Sequence, residues 1–272
     1  METQTIIING QPVAYTTSAG NGPAVLLIHG NSLSGRSFQR QLQSDLGARY
    51  RLVAIDLPGF GRSQPVDDPA TLGIQGWAGT VRGVVDALGL DPVVLVGWSL
   101  GGHIALEAVG DIGAARGVLI FGTAPIGFPP AMDQAFLPNP AMAATFKDAL
   151  TEEEQEAFFA SFFAPGYTPL PTAFAEDIRA TDGRARAAVA ASIRPDGYKD
   201  EVALIADLPL PLAIIHGAEE QLVNGAYIES LSMPSLWRGA VQVIPGAGHA
   251  PQWEQPEAFN ALLAAFLEEC FR

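Results

Sequence analysis

Cysteine is nearly absent: the 272-residue chain has one, Cys270. A lone thiol cannot close an internal disulfide, which excludes a disulfide-stapled fold and fits a reducing compartment. Positive charge is scarce too. Only 15 Lys and Arg face 29 Asp and Glu, a formal net charge of −14. Such a surface repels phosphate backbones and anionic lipid, so neither nucleic acid nor a membrane is an expected partner. No apolar run reaches transmembrane length. Met1-Glu2-Thr3-Gln4 shows no basic region leading into a long apolar stretch, so no secretory signal is read and a cytoplasmic protein is expected. Missing as well is a His-x-His-x-Asp-His cluster of the two-metal type, and no metal or other cofactor is expected. What the chain does have is apolar material, 48% of its residues, enough for a large core.

Short apolar runs alternate with helical patterns along the chain. Strands are expected at Thr5–Ile8, Val13–Thr17, Ala24–Ile28, Leu52–Ile55, Val93–Val96, Gly117–Phe121, Leu212–Ile215 and Ala240–Ile244. The first two read as a hairpin whose Asn9-Gly10 turn extends through Gln11-Pro12. Helices are expected over Phe38–Leu46, Ile74–Leu88, from near His103 to about Val109, and over Glu257–Phe271 behind Pro256. Strands alternating with helices imply a mainly parallel sheet covered on both faces. From Ala124 to Ala206 the pattern changes: prolines and phenylalanines cluster, and helical pieces such as Thr151–Phe163 and Ala185–Ile193 follow one another without strands. This block reads as a helical cap inserted after the sixth strand, residues 124–206, on a core of 1–123 and 207–272.

Val93-Val94-Leu95-Val96-Gly97-Trp98-Ser99-Leu100-Gly101-Gly102 carries the chemistry. A buried strand, Gly-x-Ser-x-Gly and then a helix is the setting of a nucleophile elbow, whose glycines let strand and helix approach closely. A serine hydroxyl needs a base within reach, and the base needs an acid to fix its tautomer. His249, in the Gly-rich loop after the last strand, is the candidate base. The acid belongs after the preceding strand, where Glu219, Glu220 and more distantly Asp207 qualify; Glu220 is preferred from its spacing to Gly217. Glu219 then faces solvent, and Glu254 caps or orients the last helix. His29 and His216 are expected to bond local backbone, and His103 to be a packing residue. Leu100 N–H, opening the elbow helix, and Asn31 N–H are the candidate oxyanion donors, and the Asn31 side chain is a further candidate donor to substrate. In a parallel sheet these groups share the edge formed by the strands' carboxyl ends.

His29-Gly30-Asn31, Asp56-Leu57-Pro58-Gly59-Phe60-Gly61-Arg62-Ser63, Gly97-Trp98-Ser99-Leu100-Gly101-Gly102-His103 and Gly246-Ala247-Gly248-His249 resemble the α/β-hydrolase superfamily. Within it, His29-Gly30-Asn31-Ser32, Gly97-Trp98-Ser99-Leu100-Gly101-Gly102-His103-Ile104, Thr181-Asp182-Gly183-Arg184-Ala185-Arg186 and Gly248-His249-Ala250-Pro251 most resemble the metal-independent N-acyl-homoserine lactonases of the AidH type. The resemblance implies an α/β-hydrolase fold with an eight-stranded sheet. It implies hydrolysis of the lactone ring of N-acyl-homoserine lactones (quorum quenching) by Ser99, His249 and Glu220, on a small-molecule substrate. The acyl tail needs an apolar groove, for which Trp98, Met132, Phe136, Phe158, Phe159, Phe162 and Phe163 are candidates. A general carboxylesterase acting on small acyl or aryl esters is the nearest alternative, and a ligand receptor on a hydrolase scaffold a remote one. Serine at position 99 speaks against the aspartate-nucleophile dehalogenases and epoxide hydrolases.

Overall fold

In the computed structural model, which describes residues 2–272, one eight-stranded sheet runs through the molecule. Met1, with which the expected core and the N-terminal reading begin, lies outside the described residues. The strands are β1 (Thr3–Ile8), β2 (Gln11–Thr17), β3 (Ala24–Ile28), β4 (Arg51–Ile55), β5 (Val93–Trp98), β6 (Ala115–Phe121), β7 (Leu212–Gly217) and β8 (Gln242–Ile244). Their order is β1-β2-β4-β3-β5-β6-β7-β8, antiparallel only where β2 meets β1 and β4. The β3 and β5 side chains are buried throughout, as unbroken apolar runs in the middle of a parallel sheet must be. Helices Gly73–Ala87, Leu100–Val109 and Pro256–Cys270 flank the sheet.

Three local expectations are corrected. Gln11 and Pro12 belong to β2, because Asn9 (φ 51°) and Gly10 (φ 83°) complete a two-residue turn by themselves. The helix expected over Phe38–Leu46 breaks into Gln39–Leu42 and Asp45–Arg49, since the Ser44 hydroxyl accepts from Leu46 N–H and starts a new helix. The last strand is three residues long and begins at Gln242, after a turn in which Arg238 and Gly239 both have positive φ.

Between β6 and β7 the elements are helical: Met132–Ala135, Glu152–Ala160, Thr172–Ala180, Gly183–Ser192 and Glu201–Asp207. Thr151 and Glu154 form both halves of a capping box on the second of these. Polar contacts tie the segment to loops at the sheet's carboxyl edge. Ser34 donates to Asp177 at 2.6 Å, Asp177 pairs with Arg36, and Arg186 donates to Ser32 Oγ.

His29 closes β3 and shows how tightly that edge is built. As expected, it bonds local backbone: Nδ1 lies 2.7 Å from Gly30 O, and Nε2 accepts from Leu57 N–H at 3.0 Å. Accepting at Nε2 makes the ring neutral, and burial pushes its pKa down to about 4. The unfolded chain therefore binds a proton near pH 6.5 that the folded one refuses. This contribution to stability is full above that pH and is lost as pH falls toward 4. Urea unfolding at pH 7.5 and pH 5 is expected to show His29→Gln losing about 2 kcal/mol less than wild type between the two.

Candidate active site

β5 ends at Trp98, and Ser99 turns the chain into the helix Leu100–Val109 with φ 53° and ψ −118°. That is a costly conformation for a residue with a Cβ, of order 1–3 kcal/mol, and it persists because its surroundings enforce it. Ser99 N–H donates to Phe121 O at 2.9 Å, and Thr123 Oγ1 donates to Ser99 O at 2.9 Å. A Cβ on Gly97 would strike the Gly101 backbone, and one on Gly101 would strike the Ile28 carbonyl. The two glycines thus let the turn close against both the helix and the neighbouring strand. Ser99 is left half-buried at the rim of an apolar cavity.

His249 arrives from the loop after β8. Its backbone and ring are both held: Trp98 Nε1 donates to the His249 carbonyl oxygen at 2.7 Å, Trp98 and Phe162 each lie 5.9 Å from the imidazole between centroids, and a Cβ on Gly122 would lie 2.9 Å from His249 Cε1. His249 Nδ1 and Glu220 Oε2 are 2.8 Å apart, both side chains almost wholly buried. Glu220 Oε1 accepts from the Gln221 and Leu222 N–H groups at 2.9 Å each. Burial pushes the Glu220 carboxyl up, but the His249 imidazole and the Leu222 N–H outweigh it and hold the group below the ordinary glutamate range. An ionised Glu220 fixes the proton on His249 Nδ1. His249 Nε2 is then a lone pair, buried and without a protein partner among the described residues, in the wall of the cavity that Ser99 lines.

The loop after β3 closes the other side. A Cβ on Gly30 would sit 3.3 Å from Ser99 Cβ, so Asn31 follows directly beside the turn. No protein acceptor among the described residues is bonded to Asn31 N–H or Leu100 N–H, and both residues line the cavity. The Asn31 side chain, a candidate donor to substrate, has protein partners of its own. It donates to Thr145 O at 3.0 Å and accepts from Ser32 Oγ at 2.9 Å, which fixes the loop.

Of the other candidates, Trp98, Met132, Phe136, Phe158 and Phe162 line the cavity, and Phe159 and Phe163 do not. The helix ends at Ala160, and Phe162 and Phe163 follow in the turn, where Phe162 packs on Phe158 at 4.7 Å beside the cavity, while Phe163 packs on Phe159 at 5.6 Å and stacks on Tyr167. Met142, Phe146, Leu222 and Val223 are among the further apolar residues of the wall; their sequence pattern carried no signal, because only tertiary folding brings them there. Glu219 is exposed, as expected. Glu254 does not serve the last helix: it accepts from Gly248 N–H at 2.8 Å and Ala164 N–H at 2.6 Å, bracing the loop that carries His249. His216 Nδ1 finds no partner among the described residues, against expectation. His103 is not a plain packing residue either; it lies 2.9 Å from both oxygens of buried Glu201. Among the described residues no group of three or more His, Cys, Asp or Glu is gathered as a metal site.

Residues 25–262 match the model of the family described as "Alpha/beta hydrolase family". The chain belongs to the alpha/beta hydrolase family. This hydrolase is 28% identical over 287 aligned positions to a 2-hydroxy-6-oxononadienedioate/2-hydroxy-6-oxononatrienedioate hydrolase from a Pseudomonas species, covering 96% of this chain and 93% of that protein. It superimposes with a TM-score of 0.94 on a serine-to-glycine variant of the N-acyl homoserine lactonase AidH complexed with N-hexanoyl homoserine lactone, at 31% identity over 99% of this chain and 98% of that one. The esterase RhEst1 from Rhodococcus sp. ECU1013 follows at a TM-score of 0.79 and 25% identity, over 98% and 99% of the two chains.

Because the Gly97 contact is with backbone, it cannot be relieved by a rotamer change. Gly97→Ala is expected to lower stability by about 1–3 kcal/mol, seen as a drop of several degrees in Tm, and to reduce hydrolase activity with it.

Proposed function

We propose that this hydrolase opens the lactone ring of N-acyl-homoserine lactones through Ser99, His249 and Glu220. The observation that carries the chemistry is the unpartnered His249 Nε2: a buried lone pair, backed by a carboxylate, in the cavity that also receives a strained serine. The lactone reading is supported by the likeness, along nearly the whole of both chains, to AidH structures holding N-hexanoyl homoserine lactone and N-butanoyl homoserine.

In this mechanism His249 Nε2 takes the Ser99 proton as Oγ attacks the ring carbonyl carbon. Glu220 stabilises the imidazolium across the Nδ1 bond without itself taking the proton. The carbonyl oxygen becomes an oxyanion, held by Leu100 N–H and Asn31 N–H. On collapse the ring C–O bond breaks, and His249 returns the proton to the departing alkoxide. Water, deprotonated by His249, then attacks the acyl-enzyme and releases the open acid and Ser99. The helices of residues 124–206 act as a cap, with Phe158 and Phe162 beside Trp98 forming a groove for the acyl tail.

An acidification assay across N-acyl-homoserine lactones and p-nitrophenyl esters tests this. The lactones are expected to be preferred, and Ser99→Ala to lose at least about 10⁴-fold in kcat. Preference for the simple esters would leave the carboxylesterase reading in its place.

A further inference from the structure

The cavity contains a second histidine wired like the first. His103 stands on the elbow helix four residues after Ser99, about 6 Å further along the helix axis. Its Nδ1 lies 2.9 Å from Glu201 Oε1 and Oε2, and Glu201 is buried, with Ile126 N–H donating to it at 2.8 Å. Both residues line the cavity. His103 Nε2 has no protein partner among the described residues, and the side chain is 15% exposed. With Nδ1–H donated to a carboxylate, a neutral imidazole offers Nε2 as an acceptor. Most of the surrounding wall is apolar, so an acceptor there is costly unless a ligand donates to it.

We propose that His103, held by Glu201, is the group that recognises the amide N–H of an N-acyl-homoserine lactone. This rests on the lactonase reading and adds to it the feature that separates those substrates from other lactones. The amide nitrogen is bonded to the carbon next to the ring carbonyl. A substrate whose carbonyl sits over Ser99 therefore carries its one N–H donor a few ångströms away, within the reach of a side chain one helical turn on. Plain lactones and alkyl or aryl esters bring no donor there and leave Nε2 unpaired. His103 is a specificity-determining residue in this scheme and takes no part in the bond changes at the ring.

The test compares N-hexanoyl homoserine lactone with α-heptyl-γ-butyrolactone, in which a hydrocarbon chain replaces the acylamino group. For His103→Phe, kcat/KM for the acyl-homoserine lactone is expected to fall roughly tenfold to a hundredfold, mostly through KM, with the amide-free lactone changed less than about threefold. His103→Gln, whose amide can donate to Glu201 and accept from substrate, is expected to retain part of the preference. Should His103→Phe fail to fold, as judged by its thermal transition, the Gln variant and Glu201→Gln carry the same two-substrate comparison. Equal losses on both lactones, or none on either, would overturn the role of His103 and leave the lactonase reading intact. A wild-type enzyme that opened the amide-free lactone and ignored the acyl-homoserine lactone would overturn the lactonase reading, and this inference with it.

Discussion

The hydrogen bond between His249 Nδ1 and Glu220, buried at the carboxyl edge of the sheet, is the constraint from which the site's geometry follows. A carboxylate removed from water is costly unless its lone pairs are engaged. Here one oxygen takes two backbone N–H groups and the other takes the imidazole. That leaves the imidazole no choice of tautomer and directs its free nitrogen into the cavity. Packing completes what hydrogen bonding begins: Trp98, Phe162 and Gly122 enclose the ring, and Glu254 braces the preceding residue.

The sheet explains why such distant residues converge. Parallel strands β3, β5, β6, β7 and β8 all end at the same edge, and each is followed by a loop that contributes to the cavity or holds it together. The strained backbone of Ser99 is stabilised from both sides by Phe121 and Thr123. The helical segment after β6 does more than cover this edge. Thr145 and Arg186 reach the Asn31-Ser32 turn, and the backbone N–H of Ala164 reaches Glu254. The proposed oxyanion loop and the proposed base loop are thus each anchored to that segment, so motion of the proposed cap is coupled to both.

Much of this was legible in the sequence where physics acts locally. Unbroken apolar runs announced the buried strands, and Gly97 and Gly101 announced the elbow, because no other residue fits those contacts. The Asn9-Gly10 turn and the bond of His29 to the Gly30 backbone were legible for the same reason. What escaped depends on partners far off in the chain. Nothing around His103 signals Glu201, nothing around Glu254 signals Ala164, and nothing in the Phe158–Phe163 run says which two of its rings face a cavity. The break at Ser44 was missed for a different reason: a capping serine competed with a helical pattern and won.

The central claim is that Ser99, His249 and Glu220 act in series, and covalent labelling tests it without reference to any substrate. A fluorophosphonate probe, followed by peptide mass spectrometry, is expected to place one adduct per chain on Ser99. Its rate is expected to fall at least about a hundredfold in His249→Ala and substantially in Glu220→Gln. Labelling at another residue, or a rate at Ser99 indifferent to both substitutions, would contradict the account.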